Sequence, residues 1–369
     1  MKTGLYVHIP FCKQKCNYCD FASFAGREIL MADYVAALLK EAARTPVSTC
    51  QTLYIGGGTP SLLPLNLWEK LVAGLTHIFG PVENFAESTV EANPESLSKE
   101  KIEFLRAAGF NRLSMGLQSF HDSELKTLGR VHTQADFLRA YHAARAAGFA
   151  NINIDLIAGL PGQTLESFLQ SLDAVINLAP EHLSVYGLEI EEGTPFFERG
   201  IVCDQILMRQ MLEETHTRLI AAGFEHYEIS NFARPGFRSQ HNTHYWQYGE
   251  YIGLGSAAAS FIGGVRGQNT PDIAQYIEKI NGGQSAVCFA EKLDGPAREG
   301  EKLLLALRQS DGVVPSEKQL SFFAGEIEKH VQNGLLARAG KKIKLTHQGL
   351  FLASEVFRSF VAPFEDVCK

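Results

Sequence analysis

The chain has 369 residues, 45% of them hydrophobic and 20% charged, and carries a formal net charge of −7. That is enough apolar material for one large domain and a smaller one, and too much for a disordered chain. The acidic balance argues against nonspecific nucleic-acid binding, which needs a basic surface.

No apolar run is long enough to span a bilayer, and no charged segment followed by a hydrophobic one opens the chain. A cytoplasmic location is expected, with membrane association only through a partner. Seven cysteines, an odd number, do not suggest a disulfide framework.

From Leu5 to Ile190, short β-rich runs alternate with helical periodicity, the pattern of βα units on a parallel sheet. Six strands are predicted over 5–9, 52–55, 88–91, 112–117, 151–157 and 182–188. Helices are predicted over 33–44, 65–78 and 98–108, the last stopping at Gly109, a residue suited to a left-handed helix end. Thr133 is the expected N-cap of a fourth helix ending at Gly148, and Thr164 of a fifth reaching Asn177. Six such units curl into an open, partial (β/α)6 barrel, whose chemistry belongs at the C-terminal ends of the strands.

After Glu192 the rhythm weakens. Residues 204–222 read as an amphipathic helix ending at Gly223, and 227–232 as a strand, a segment suited to closing the barrel's open side. Small residues over 253–259 would let a flat ligand approach the backbone. Glycines at 282–283 and Gly295-Pro296 mark a boundary. Beyond it, three helices, a hairpin around Gly340 and a last helix to about Phe360 make a smaller, winged-helix-like domain. The expected organisation is therefore 1–200 for the barrel, 201–296 for a closing segment and 297–369 for the C-terminal domain. Eleven Lys and Arg against nine Asp and Glu in that last part leave it a weak candidate for DNA binding.

The chemistry starts at Cys12, Cys16 and Cys19, three thiols within eight residues just after the first strand. Thiolates are soft donors, suited to zinc, copper(I) or an iron–sulfur cluster. No second cysteine or histidine pair follows to complete a structural zinc site. A 4Fe-4S cube held by three cysteines keeps one iron open for a small molecule.

C-x3-C-x2-C with Tyr18 before the third cysteine resembles the radical SAM superfamily, whose open iron chelates S-adenosylmethionine (SAM). The strings Tyr6-Val7-His8-Ile9-Pro10-Phe11-Cys12 and Gly56-Gly57-Gly58-Thr59-Pro60 narrow the resemblance to two relatives, the oxygen-independent coproporphyrinogen III oxidases (HemN) and the HemW heme chaperones. The oxidase pattern has a fourth cysteine where this chain has Phe21, and a longer segment before its cluster. His241-Asn242-Thr243-His244-Tyr245-Trp246 resembles the HNxxYW signature of the chaperones.

The resemblance implies a 4Fe-4S cluster on Cys12, Cys16 and Cys19. It implies SAM contacts from Tyr6, Tyr18, Gly57, Gly58, Thr59, Glu91, Gln118, Arg130, Asp155 and Gly187. Carboxylates suit ribose hydroxyls, and a guanidinium suits the methionine carboxylate. Taken alone, the triple glycine reads as a tight turn and Arg130 as a surface ion pair. His241 is the candidate heme ligand, with Tyr245, Trp246, Tyr248 and Tyr251 available to stack on a porphyrin.

The implied function is heme binding and transfer to heme-acceptor apoproteins, respiratory enzymes among them, with no catalytic residues assigned. Radical decarboxylation of coproporphyrinogen III, or the reaction of another radical SAM enzyme, is the alternative. A homodimer is compatible with this reading.

Overall fold

The computed structural model describes residues 3–46 and 49–361. Its centre is a run of parallel strands: β1 (Thr3–Ile9), β2 (Cys50–Gly57), β3 (Glu87–Ala92), β4 (Arg112–Gln118), β5 (Ile152–Ala158) and β6 (His182–Gly187). Each expected strand is present within a few residues. Leu5, Val7, Ile55, Leu113, Ile154 and Leu183 are fully buried under the outer helices, which is why these strands read as apolar runs.

The helices begin where side-chain chemistry allows. Thr133 and Thr164 close reciprocal caps on helices α4 and α5 below, Thr133 with Asp136 and Thr164 with Ser167. The helices that cover β1 to β6 are α1 (Met31–Arg44), α2 (Leu65–Phe79), α3 (Lys99–Ala107), α4 (Gln134–Ala146) and α5 (Leu165–Asn177), joined farther on by α6 (Gln205–Ala221). A short turn of helix over Asp122–Thr127 sits between β4 and α4.

The sheet is wider than six strands. A hairpin, β7 (Glu225–Glu228) and β8 (Asn231–Ala233), pairs antiparallel with β6. The expected single strand over 227–232 is thus two, because the chain turns at Ile229 and Ser230. On the other edge β9 (Tyr251–Leu254) lies parallel to β1 and leads into the antiparallel β10 (Ala259–Ile262), β11 (Val265–Asn269) and β12 (Val287–Lys292). Among the described residues the order is β12-β11-β10-β9-β1-β2-β3-β4-β5-β6-β8-β7. Helices α7 (Gln240–Trp246) and α8 (Ile273–Asn281) accompany this half.

Within the small-residue run at 253–259, Gly253 and Gly255 serve close packing, while Ala257 and Ala259 line a cavity described below. A Cβ on Gly253 would lie 2.0 Å from the Ala259 carbonyl oxygen. One on Gly255, at φ +103°, would lie 2.4 Å from the Tyr34 hydroxyl. The glycines at 282–283 precede a strand that still belongs to the main sheet.

Among the described residues, strand pairing does not join the two ends of the sheet. The C-terminal part spans them instead. Helix α9 (Gly295–Leu307) pairs Glu301 with Arg266 of β11, and just beyond it Ser310 N donates to Tyr227 O of β7 at 3.0 Å. Helix α10 (Glu317–Gln332), the hairpin β13 (Leu336–Ala339) and β14 (Lys342–Leu345), and short helices at His347–Phe351 and Ala353–Arg358 complete that part. Two helices, not three, precede the hairpin. A separate apolar cluster of Leu303, Leu307, Phe323, Ile327, Ile343 and Phe360 holds them together. No described helix is long and apolar enough to cross a membrane.

Candidate functional site: a thiol-lined cup beside an aromatic chamber

The cysteine loop leaves β1 through Pro10 and is tied down along its length. Phe11–Cys12 pairs with Phe24–Ala25. Asn17 donates from its backbone to Leu128 O at 2.9 Å and from its side chain to Thr127 O at 2.8 Å, and Phe196 N donates back to Asn17 O at 2.9 Å. Lys15 Nζ reaches Phe21 O at 3.0 Å. These ties present Cys12, Cys16 and Cys19, all free thiols, to one cavity of about 440 Å³ at the strand ends.

Gly57, Gly58, Thr59, Glu91, Gln118, Arg130, Asp155, Gly187 and Tyr18 line the same cavity. Burial pushes the Cys12 and Cys19 thiols up in the protein without metal. Among the described residues no three such donors converge as a single-ion site would require. The Thr59 hydroxyl lies 3.5 Å from Cys12 Sγ and an Arg130 nitrogen 3.8 Å from Cys16 Sγ, contacts that favour thiolate.

Arg130 is not a surface ion pair. One guanidinium nitrogen donates to Asn93 Oδ1 and to Gly116 O, both at 2.7 Å, which fixes the fork inside the cup. Burial works against its charge, but Tyr18, Cys16 and Glu95 hold its pKa above the ordinary value. Glu91 accepts from the Tyr54 hydroxyl at 2.6 Å and from Gly57 N at 3.1 Å. Burial pushes its carboxyl up to about 7, and Asp155 adds to the rise. Asp155, raised by burial too, accepts from Asn153 at 2.7 Å.

The glycines are tight for internal reasons. A Cβ on Gly58 would stand 2.8 Å from Phe11 O and 3.0 Å from Cys12 Sγ, and one on Gly187 would meet the Met208 sulfur at 2.9 Å. Asn93, whose side chain donates to Thr59 at 2.9 Å and receives Arg130, was not singled out from the sequence. It follows Glu91 and Ala92 at the end of β3, where the chemistry of a barrel belongs.

Tyr6 lies elsewhere. It lines a second cavity of about 580 Å³ with Tyr245, Trp246, Tyr248, Tyr251, Phe261, Arg266, Gln268 and Glu301. Phe21, Gly57 and Glu91 border both cavities, so cup and chamber share a wall.

His241 does not face the chamber. It is 1% exposed; Nδ1 pairs with Thr52 Oγ1 at 2.8 Å and Nε2 with the Tyr245 hydroxyl at 2.8 Å, and its ring stacks on Tyr54. Burial lowers its pKa to about 3. Both nitrogens are held by protein partners, and His241 is not among the residues that line the chamber. His241 locks α7 to β2 and orients Tyr245.

The chain matches the radical SAM superfamily over residues 6–175. It is 36% identical to the heme chaperone HemW of Bacillus subtilis (strain 168) over 374 aligned positions, which cover 96% of this chain and 98% of that protein. It is 42% identical to the HemW of Escherichia coli (strain K12) over 69% of both.

The chain belongs to the HemW family.

Its fold also matches the coproporphyrinogen III oxidase HemN from E. coli, a radical SAM enzyme, with a TM-score of 0.85, 26% identity, and coverage of 98% of this chain and 90% of that one. Superfamily membership implies a 4Fe-4S cluster and SAM, and the three free thiols with a fixed guanidinium beside them fit both. In this HemW-family chain the side chain of Phe21 is 66% exposed at the rim between the cavities and supplies no fourth thiol.

Proposed function

We propose that this protein binds heme in the aromatic chamber and hands it to heme-acceptor apoproteins, respiratory enzymes among them. The observation that carries this reading is the chamber itself. Its volume of about 580 Å³ is that of a small-molecule site, and seven aromatic side chains, among them Tyr6, Tyr245, Trp246, Tyr248, Tyr251 and Phe261, contribute to its wall. The HemW relatives are named as heme chaperones, which supports the same reading.

In the cup, Cys12, Cys16 and Cys19 hold the cluster. Arg130 is placed for the carboxylate of the methionine end of SAM, Glu91 and Asp155 for hydroxyls, and Tyr18, Gly57, Gly58, Thr59, Gln118 and Gly187 for close contacts. When bound, the cluster would supply an open iron, and Gly57 and Glu91 form part of the wall that the cup shares with the chamber. The barrel of 1–200 thus carries the cup, 201–296 most of the chamber, and 297–369 its outer wall. The site of action is the cytoplasm, with any membrane contact made through the acceptor; a homodimer remains compatible.

The HemN-like fold favours a second reading, radical decarboxylation of coproporphyrinogen III. One experiment separates them. Cluster-reconstituted protein is incubated anaerobically with reductant, SAM and coproporphyrinogen III, while a parallel sample is titrated with heme. The expected result is a Soret change on titration and no decarboxylated porphyrin. Decarboxylated product would establish the oxidase reading instead.

A further inference from the structure

Among the described residues four non-glycines hold a positive φ: Gln118, Ala179, Tyr248 and Ala257. Gln118 lines the cup, and Tyr248 and Ala257 line the chamber. Tyr248, at +59°, is the bulkiest of the four. It follows the C-cap of α7, where glycine or asparagine is the usual left-handed residue. Its N–H closes the turn on Tyr245 O at 2.9 Å, so the strain is built into the end of that helix. A side chain kept where the backbone disfavours it points to a use for that side chain.

The ring is held by Phe261, edge-on at 4.7 Å, and by Lys302 Nζ, 5.5 Å from its centroid. Its hydroxyl is sealed from solvent and lacks a well-formed hydrogen bond, as does one oxygen of the neighbouring Glu301. Burial, then Glu301, pushes the phenol up to about 12. The nearby alternatives are occupied. The Tyr6 hydroxyl pairs with His8 Nδ1 and His8 Nε2 with Ala22 O, both at 2.9 Å. The Tyr245 hydroxyl pairs with His241, and Arg266 is paired with Glu291 and with the other oxygen of Glu301.

We infer that Tyr248 is the protein's ligand to the iron of ferric heme and that Glu301 receives its proton. This rests on reading the chamber as a heme site. The phenol O–H bond breaks, an oxygen–iron bond forms, the proton passes to the Glu301 carboxylate, and no electron is exchanged. Phenolate is an established axial ligand to heme iron, and a carboxylate that takes its proton leaves the site no more charged overall.

The test is a titration of the full-length, cluster-reconstituted chain with hemin, read by its absorbance and by resonance Raman bands of iron-bound phenolate. Wild type should show those bands. Tyr248→Phe keeps ring and turn and should lose them, with hemin affinity down about tenfold. Tyr248→His should bind hemin with an imidazole-type spectrum, a rescue that a structural role would not produce. His241→Ala should keep the phenolate bands.

Thermal melts of each variant separate lost ligation from lost fold. Wild type that binds hemin with a spectrum unchanged in both Tyr248 variants overturns the ligand and leaves the chamber reading standing. Wild type that gives no Soret change overturns both.

Discussion

A single carboxyl sets a pH signature for the cup. Glu91 has its pKa raised from 4.5 to about 7 in the folded chain, so the folded state binds its proton more tightly than the unfolded one. Its contribution is present below pH 4.5 and is lost as pH rises through 7, by up to about 3 kcal/mol. Asp155 shifts in the same sense. Buried His182 and His241 have lowered values and act oppositely, costing stability as pH falls below 6.5. In denaturant titrations of the metal-free protein from pH 5 to 8, Glu91→Gln should therefore gain on wild type as pH rises. A difference independent of pH would show that Glu91 is ionised throughout.

Cys16→Ala should abolish the brown absorbance and the bound iron, since two thiolates do not anchor the cube; an unchanged iron content per chain would refute the ligand set. The three cysteines were legible because soft donors at close spacing have few other uses. The saturation of His241 was not, because its partners Thr52 and Tyr245 lie 189 residues upstream and 4 downstream, and only folding brings the first of them to the ring.

Among the elements, the turn after β2 is the most sensitive. Gly58→Ala would push a methyl against Phe11 O, a backbone atom that cannot step aside, and against Cys12 Sγ. Iron loading on reconstitution should fall severalfold while circular dichroism stays that of wild type; full loading would mean that the loop has slack. The parallel strands were readable from sequence because each is an apolar run closed by a polar end. Strand β9 was not, since its Tyr251-Ile252-Gly253-Leu254 is short, holds a glycine and belongs beside β1, far from its neighbours in sequence. The chamber was read only in part: Tyr245, Trp246, Tyr248 and Tyr251 were singled out and line it, but its remaining walls were not. Arg266 and Glu301 come from separate segments that carry no shared motif.

For the whole molecule, the contact that matters is the one by which the C-terminal part grips the far edge of the sheet. Glu228, fully buried at the end of β7, faces Arg308 at 3.7 Å, and Arg308 also lies over the Trp246 ring at 4.3 Å. Arg308→Met should destabilise the protein by about 3 kcal/mol, because it leaves a buried carboxylate without its opposing charge. Glu228→Gln in the same chain should recover part of the loss. If calorimetry finds the two substitutions simply additive, the pair is not coupled. The sequence showed a separate C-terminal segment but not this grip, which depends on charges 80 residues apart meeting in a low-dielectric place.

Strand β1 has a neighbour on each side, and they reach the ribosome's exit at very different times. Gly4 pairs with Thr52 on one flank and with Tyr251 on the other. At about 5 to 20 residues per second, the second partner follows the first strand by roughly 10 to 50 s of translation. For that interval the nascent chain can complete its thiol-bearing cup while one edge of its oldest strand stays bare, an invitation to foreign strands. The chaperone-family fold is thus itself a client during its own synthesis, and its chamber comes into being only when that late strand docks.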